Sequence, residues 1–279
     1  MYRIEDQMDP KDICFSHPLT HLEAKTIKTM IDHVLTEHRG PSTSLTWVRT
    51  QLSNSSLKQL LVKLTQFFET NPDSYFLRLS TISPKDAYYQ LCVETPDELE
   101  IVDSKPTLDQ IKRDLSVLKV QTAEQCLLVL CHSERVMRDI ELEGQSIVLQ
   151  QWKPILHDTE TRCFVKNGKL LAISQYWADL DQGYTSFPDF NPTDFLERVK
   201  TFIKELQNRK SVNHTFPYQD AVVDIAYCES QLILIEMNPY TGDTDSALFE
   251  WDELLKLERR NLDTVIFRFT QNDRICEVV

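Results

Sequence analysis

Three oxygen-bearing side chains stand close together near the C-terminal end of the sequence, in two apolar runs separated by a short polar turn. Asp224 lies in the first run, and Glu236 and Asn238 lie in the second, directly before a proline. Side chains two apart on a strand share a face, so Glu236 and Asn238 point the same way, and a hairpin would bring Asp224 to them. Carboxylate and amide oxygens suit Mg²⁺, which also binds substrate phosphates. The spacing predicts a metal site, and the alternative is an edge strand whose acids face solvent.

A basic strand and a polar loop precede this pair of runs in the chain. Residues 74–82 read as a strand that contains Arg78 and Ser80, and SPKD at 83–86 follows as the start of a helix, with Lys85 inside it. A junction between a strand and a helix N-terminus presents backbone N–H groups and a favourable dipole to an anion. Arg78, Ser80 and Lys85 are therefore candidate contacts for the phosphates of a nucleotide. The alternative is a capped helix with a solvated lysine.

A second hairpin supplies two more cations. Residues 162–175 form two strand-like runs around Asn167-Gly168, the strongest two-residue hairpin signal. Arg162 and Lys166 share one side of the first run, and like charges on one strand face repel unless they meet an anion or solvent. Both are candidate nucleotide contacts, because a triphosphate clamp requires cations on rigid strands. No Walker A or GxGxxG pattern is present.

The remaining segments complete an α+β pattern. The first seventy residues read as helical, with apolar residues at helical spacing in two stripes, and Pro192 opens a further amphipathic helix. Strand-like runs dominate the rest of the chain. We expect a helical segment at 1–70 packed on the core of a domain at 71–279, in which two lobes meet at about 145/146 and enclose a nucleotide cleft.

Bulk composition limits the classes of function. The chain of 279 residues has a formal net charge of −13, which argues against binding to a nucleic-acid backbone. No apolar run reaches the ~20 residues of a membrane span, and the N-terminal residues lack the pattern of a secretory signal. Seven cysteines without a CxxC pair indicate free thiols in a reducing compartment. These features predict a cytoplasmic protein that binds neither nucleic acid nor membrane.

Five blocks of the sequence resemble motifs of the cell division cycle protein 123 family, also called D123. The blocks stand in family order, which is more specific than any single block. They are RLSTISPKDA (78–87), ETRCFVKNGKLLAISQ (160–175), VVDIAY (222–227), LIEMNPY (234–240) and TDSALFEWDEL (244–254). The first seventy residues carry no such resemblance.

The resemblance implies an ATP-grasp fold, with ATP and Mg²⁺ held between two α+β lobes at 71–145 and 146–279. Arg78 stands where that family has a basic phosphate contact, and Arg162 stands for the arginine of its E-F-R-x-F-V block. The metal-binding positions of the family correspond to the following residues: Asp224, Glu236 and Asn238.

The segment before the adenine hinge departs from the family pattern. The family often has L-R-K-W there, whereas this chain has Leu149, Gln150, Gln151 and Trp152. Gln151 and Trp152 remain candidate contacts for the cofactor, but the missing cation removes one expected phosphate contact.

The family's best-described eukaryotic members are chaperones for assembly of translation initiation factor 2, and they bind its gamma subunit. By resemblance, we expect a monomeric, ATP- and Mg²⁺-dependent assembly chaperone. An alternative is a carboxylate–amine ligase, in which Arg162 would be catalytic by stabilising the charge that develops on an acyl phosphate. A third interpretation is an interaction module that no longer binds nucleotide.

Overall fold

Two β-sheets with flanking helices build the molecule. The computed structural model of the chain describes residues 13–37, 41–91, 115–116, 118–177, 184, 190–208, 219–228, 230–260, 264–272 and 274–279. Within these residues, the first sheet has four strands and the second has six. The predicted α+β class is confirmed.

The four-stranded sheet is antiparallel and has the order β1-β4-β2-β3. Its central strands pair in a register that places Arg78 opposite Val148 and Tyr75 opposite Gln151. The strands are β1 (Ile13–Pro18), β2 (Tyr75–Leu79), β3 (Lys119–Val120) and β4 (Ser146–Gln151).

Within the described residues, six α-helices accompany this sheet and share its apolar core. The first begins at a capping box, in which the backbone N–H of Thr20 donates to the Glu23 carboxylate (2.8 Å) and that of Glu23 donates to the Thr20 hydroxyl (3.2 Å). The predicted stripe of that helix is buried, including Ile27, Ile31 and Val34. The helices are α1 (His21–Glu37), α2 (Pro41–Gln51), α3 (Lys58–Thr70), α4 (Ala87–Leu91), α5 (Ala123–Cys131) and α6 (Glu134–Asp139).

The six-stranded sheet has the order β10-β9-β6-β5-β7-β8, and all its pairs are antiparallel except β6 with β9. The predicted hairpin is confirmed: Asn167 and Gly168 both have positive φ, 52° and 71°, as a type I′ turn requires. The strands are β5 (Ile155–Lys166), β6 (Lys169–Gln175), β7 (Ala221–Cys228), β8 (Gln231–Pro239), β9 (Ile266–Gln271) and β10 (Arg274–Val278).

The two faces of this sheet have different covers. Helix α7 (Pro192–Asn208) packs on one face through six buried apolar side chains, and each such burial contributes about 1.5–3 kcal/mol. Helix α8 (Trp251–Arg260) packs beside Phe164 and Val222 on the other face. Because side chains alternate along a strand, Arg162 and Asp224 share the face of Phe164 and Val222. The candidate site lies at the polar end of that face, around Arg162 and Asp224.

Two boundaries differ from the sequence prediction. The segment 1–70 contains helices α1 to α3, but it also contributes strand β1, which pairs with β4. Strand β4 belongs to the first sheet, because it pairs with both β1 and β2. The chain therefore passes from the first sheet to the second after Gln151, and not at 145/146. Within the described ranges, no helix combines the length and apolar character that a membrane crossing requires.

Candidate functional site

Three charged side chains form a row across neighbouring strands of the six-stranded sheet. Arg162 on β5 is the register partner of Asp224 on β7, and Asp224 is the partner of Glu236 on β8. Directly opposed residues on a sheet project from the same face. The hairpin predicted from the spacing is confirmed, and it brings both carboxylates to one face, with Asn238 two residues further along β8.

Arg162 and Asp224 form a buried bidentate ion pair. Arg162 donates from Nε to Oδ1 and from Nη2 to Oδ2 of Asp224, both at 2.8 Å. Its third nitrogen, Nη1, donates to the carbonyl oxygen of Asp245 at 2.6 Å, and the guanidinium lies 4.7 Å from the ring centroid of Tyr176. The side-chain nitrogen of Asn238 donates to Asp224 Oδ2 at 3.1 Å. The carboxylate of Asp224 is thus held by two neighbours on its own sheet.

Burial and pairing act on this pair in opposite directions. Burial lowers the pKa of the Arg162 guanidinium, but the hydrogen bonds and charge of Asp224 outweigh it and raise the pKa above its ordinary value. Burial also raises the pKa of Asp224 above its ordinary value, and the hydrogen bonds and charge of Arg162 offset that rise only in part. Two parallel charge-assisted hydrogen bonds favour the ionised pair at neutral pH. The ionised state of the Asp224 carboxylate therefore depends on its pairing with Arg162.

Glu236 meets two cations that come from the four-stranded sheet and the loop after it. Lys85 Nζ lies 3.2 Å from Glu236 Oε1, and Arg78 Nη1 lies 3.8 Å from Oε2. Burial opposes ionisation of Glu236, but the charges of Lys85 and Arg78 outweigh it and lower the pKa from 4.5 to about 2. Lys85 and Arg78 therefore face Glu236 across the space between the two sheets. We call Arg78, Lys85, Arg162, Asp224 and Glu236 the cleft charge cluster.

A cleft with apolar walls leads to this cluster. The non-atom space within the cleft, counting its open mouth, is about 900 Å³. Its apolar lining residues are Phe76, Leu115, Leu118, Trp152, Ile155, Trp177, Ile233, Leu234 and Ile235. Its polar lining residues are Arg78, Lys85, Gln150, Gln151, Lys153, His157, Glu160 and Glu236.

Most of the predicted cofactor contacts reach this cleft or its charged end. Gln151 and Trp152 line it where the chain crosses between the sheets, and Lys85 lies at its charged end. Ser80 is buried, and its hydroxyl accepts a hydrogen bond from the backbone N–H of Ser146 at 3.0 Å. It therefore joins the loop to β4 and is not among the lining residues.

Lys166 lies apart from the cluster. Its Nζ is 2.7 Å from Asp220 Oδ2, and it lies 5.1 Å from the ring centroid of Tyr240. The other oxygen of Asp220 accepts from the backbone N–H of Asn167, so this ion pair closes the β5–β6 turn. Arg162 and Lys166, predicted to share a strand face, pair with different carboxylates, Asp224 and Asp220.

The sequence interpretation missed several residues of the cleft. Glu160 precedes Arg162 by two residues, and that period-two spacing is the signal that could have indicated it. Tyr176 directly follows β6, and although it does not line the cleft, its ring centroid lies 4.7 Å from the Arg162 guanidinium and 5.6 Å from Lys85 Nζ. Trp177 lines the cleft, and its buried indole N–H has no hydrogen-bond partner within the described residues. Nothing local in the sequence indicates Tyr176 or Trp177.

The residues present fit a nucleotide with a divalent cation. In the cleft charge cluster, three cations face two carboxylates and leave a net charge of +1, which suits an anionic ligand. Among the described residues, no three His, Cys, Asp or Glu side chains form a complete metal site. Mg²⁺ needs only one or two carboxylates when a substrate phosphate completes its coordination. Asp224 and Glu236, with the amide oxygen of Asn238, match that requirement, and the unpaired donor on Trp177 suits a polar ligand.

The fold and the site together define a two-sheet α+β protein with a cleft that ends in a buried, internally paired charge cluster. The chain belongs to the D123 family, which it matches over residues 32–278.

Curated relatives resemble the chain in sequence, and a solved structure shares its fold. A Schizosaccharomyces pombe protein is 31% identical over 163 residues, covering 52% of this chain and 48% of its own length. A Xenopus laevis protein is 27% identical over 236 residues, covering 81% and 61%. Both are named translation initiation factor eIF2 assembly protein, and the chain spans about half to three fifths of their length. The structure of Cdc123 from S. pombe has the same fold, with a TM-score of 0.60 at 22% identity over 92% of this chain and 90% of that chain.

Proposed function

We propose that the cleft binds ATP together with Mg²⁺, in an ATP-grasp arrangement of the two sheets. The observation that carries the proposal is the change in polarity along the cleft, from apolar walls at one end to the cleft charge cluster at the other. A nucleotide changes in the same way along its length, from a flat base to a charged triphosphate. The base would lie between the walls that contain Trp152 and Ile233, beside the polar atoms of Gln150 and Gln151.

The phosphates would lie at the charged end. Lys85 and Arg78 are held there by Glu236, and Arg162 is held by Asp224. An incoming phosphate would accept hydrogen bonds from Lys85 and Arg78, and Glu236 would then face the metal ion instead. Mg²⁺, when bound, would neutralise part of the phosphate charge. Binding thus exchanges internal ion pairs for pairs with the ligand, without leaving a buried charge unpaired.

We propose further that the protein acts in assembly of translation initiation factor 2. The names of its relatives support this role. The partner would be the gamma subunit, as the family resemblance implies, and the protein would act as a monomer in the cytoplasm. ATP in the cleft would fix the position of one sheet relative to the other and so shape the docking surface. The negative net charge of the chain suits a partner with a basic docking surface.

Replacing Lys85 by methionine should weaken ATP binding by about 10–100-fold, because a charge-assisted hydrogen bond contributes about 1.5–3 kcal/mol. The measurement is titration calorimetry with ATP in the presence of Mg²⁺. Asp224→Ala should abolish binding or weaken it more strongly, since it removes a metal ligand and the partner of Arg162.

The matched control is Lys28→Met. Lys28 also pairs with a glutamate, Glu141, but on an exposed surface of the same half of the molecule. Its variant should bind ATP as the wild-type protein does. Absence of ATP binding to the wild-type protein would reject the proposal, and equal affinities for wild type, Lys85→Met and Asp224→Ala would place the nucleotide elsewhere.

The purified initiation factor gamma subunit should be retained by the immobilised protein, and more strongly with ATP and Mg²⁺ than without them. The Lys85→Met protein should lose the nucleotide-dependent part of this retention, because the two sheets would no longer be fixed by a ligand. Retention of equal strength with and without ATP would separate the partner from the nucleotide site. No retention under either condition would reject this partner.

A further inference from the structure

Asp86 makes two contacts with a helix that is distant in sequence. Its Oδ1 accepts a hydrogen bond from the Ser133 hydroxyl at 2.6 Å, and its Oδ2 accepts one from the backbone N–H of Arg135 at 3.1 Å. In the sequence, Asp86 is the last residue of the SPKD segment (83–86) that reads as the start of a helix. The structure instead directs it to the start of α6, 47 residues further along the chain.

Ser133 connects this contact to the helix itself. Its hydroxyl donates to Asp86 and also accepts from the backbone N–H of Val136 at 3.0 Å, as an N-cap does. The three hydrogen bonds join the carboxylate of Asp86 to the first turn of α6. Helix α6 in turn packs into the core of the four-stranded sheet through Val136.

The loop between β2 and α4 is thus anchored at both ends. At its beginning, Ser80 bonds to the backbone of Ser146, and the Thr81 hydroxyl donates to Asp139 at 3.2 Å. At its end, Asp86 bonds to the start of α6. Lys85 lies immediately before the second anchor, and its Nζ reaches Glu236 on the other sheet.

The same anchor places a further cation near the cluster. Arg135, whose backbone N–H is held by Asp86, adds to the positive charge that lowers the pKa of Glu236. One carboxylate therefore fixes the chain at both Lys85 and Arg135. The two hydrogen bonds of Asp86 come from the Ser133 hydroxyl and the Arg135 backbone, so the side chains of Lys85 and Arg135 take no part in them.

We propose that Asp86 is a positioning residue for the phosphate end of the cleft: it holds the chain at Lys85 in the place from which this side chain reaches the ligand. The proposal rests on the proposed nucleotide site. A long flexible side chain loses conformational freedom on binding, and a fixed backbone at its base reduces that loss. Asp86 would improve affinity without touching the nucleotide.

The test is a double-mutant cycle between Asp86 and Lys85, read as ATP affinity by calorimetry with Mg²⁺. Asp86→Ala should weaken binding by about 3–10-fold, the effect of freeing one rotamer-rich side chain. In a Lys85→Met background, the same change should alter affinity by less than about 2-fold, because the group that Asp86 positions is absent. Asp86→Asn, which keeps one acceptor oxygen, should retain part of the affinity.

Thr122→Ala is the matched control for a loss of helix capping. The Thr122 hydroxyl accepts from the backbone N–H of Gln125 and caps α5, the helix next to α6. This variant should lower the melting temperature to a similar degree and leave ATP affinity unchanged.

The outcomes separate the two proposals. Wild-type affinity in both Lys85→Met and Asp224→Ala would reject the nucleotide site and the positioning role with it, whereas wild-type affinity in Lys85→Met alone would reject only the positioning role. Weak binding by Lys85→Met together with wild-type affinity in Asp86→Ala would reject the positioning role alone. A loss of equal size in both backgrounds would show that Asp86 acts on the fold and not through Lys85, which would also overturn the proposal.

Discussion

Replacing Arg162 by methionine should lower the free energy of unfolding by about 3–5 kcal/mol, because it leaves the carboxylate of Asp224 buried without its ion-pair partner. Both side chains are almost fully buried, at 5% and 3% exposure, and both hydrogen bonds of the pair measure 2.8 Å. The measurement is urea unfolding of both proteins at neutral pH. A shift of the midpoint at constant slope would identify a change in stability and not in the extent of unfolding.

Two further variants make this result specific. Arg49→Met removes an arginine that pairs with Glu124 at 2.6 Å while 59% exposed, and it should cost less than about 1 kcal/mol. The double variant Arg162→Met/Asp224→Leu should recover much of the loss, because no charge remains buried at either position. A small loss in Arg162→Met, or no recovery in the double variant, would mean that the pair is not the buried ionised pair described above.

The residue pattern indicates the faces of the strands but not the partners of the charged side chains. Period-two spacing places Glu236 with Asn238, and the Asn167-Gly168 turn fixes the β5–β6 hairpin. The same rules identify Arg162 and Asp224 as site residues, but they assign one to phosphate and the other to metal. That these two bind each other follows from the pairing of β5 with β7, whose partner positions lie 62 residues apart in the chain. Local spacing carries no information on such a pairing.

Long-range contacts also explain where the structure differs from the sequence prediction. Lys166 shares a strand face with Arg162, but it pairs with Asp220 at the turn, so the two cations do not converge on one place. Lys85 reaches Glu236 across 151 residues of chain, which only the approach of the two sheets permits. The sequence pattern did not predict strand β1, which lies in a mainly helical segment. This strand forms by pairing with β4, a segment far away in the sequence.

The internal pairing of the cleft charge cluster has a thermodynamic reason. An unpaired buried charge costs several kcal/mol, so the buried cations of the cluster need neutralisation by the chain itself when no ligand is bound. Asp224 and Glu236 supply that neutralisation and are also the candidate metal ligands. The same carboxylates would therefore stabilise the free protein and contribute to the bound state. The stability of the free protein at acid pH then measures how strongly the cations of the cluster stabilise these carboxylates.

Stability of the free protein should rise with pH between about 2 and 4.5 because of Glu236, and Glu236→Gln should lack this contribution. The folded-state pKa of Glu236 is about 2, against 4.5 for the unfolded chain, so the unfolded state binds more protons in this window. Stability increases with pH wherever the unfolded state binds more protons. The contribution is fully present above pH 4.5, is lost as the pH falls towards 2, and amounts to at most about 3 kcal/mol.

The informative quantity is the difference in unfolding free energy between wild type and Glu236→Gln, measured by denaturant titration from pH 2 to 6. Glutamine also leaves Lys85 and Arg78 less well paired, but that loss does not vary with pH in this range, whereas the titration of Glu236 does. Glu197→Gln is the matched control, since Glu197 pairs with Lys200 on an exposed helix surface and contributes little. A difference that stays constant from pH 2 to 6 would show that Glu236 does not depend on Lys85 and Arg78 for its charge. A difference that grows as the pH rises from 2 and levels off above 4.5 would show that the cluster holds its carboxylate ionised before any ligand arrives.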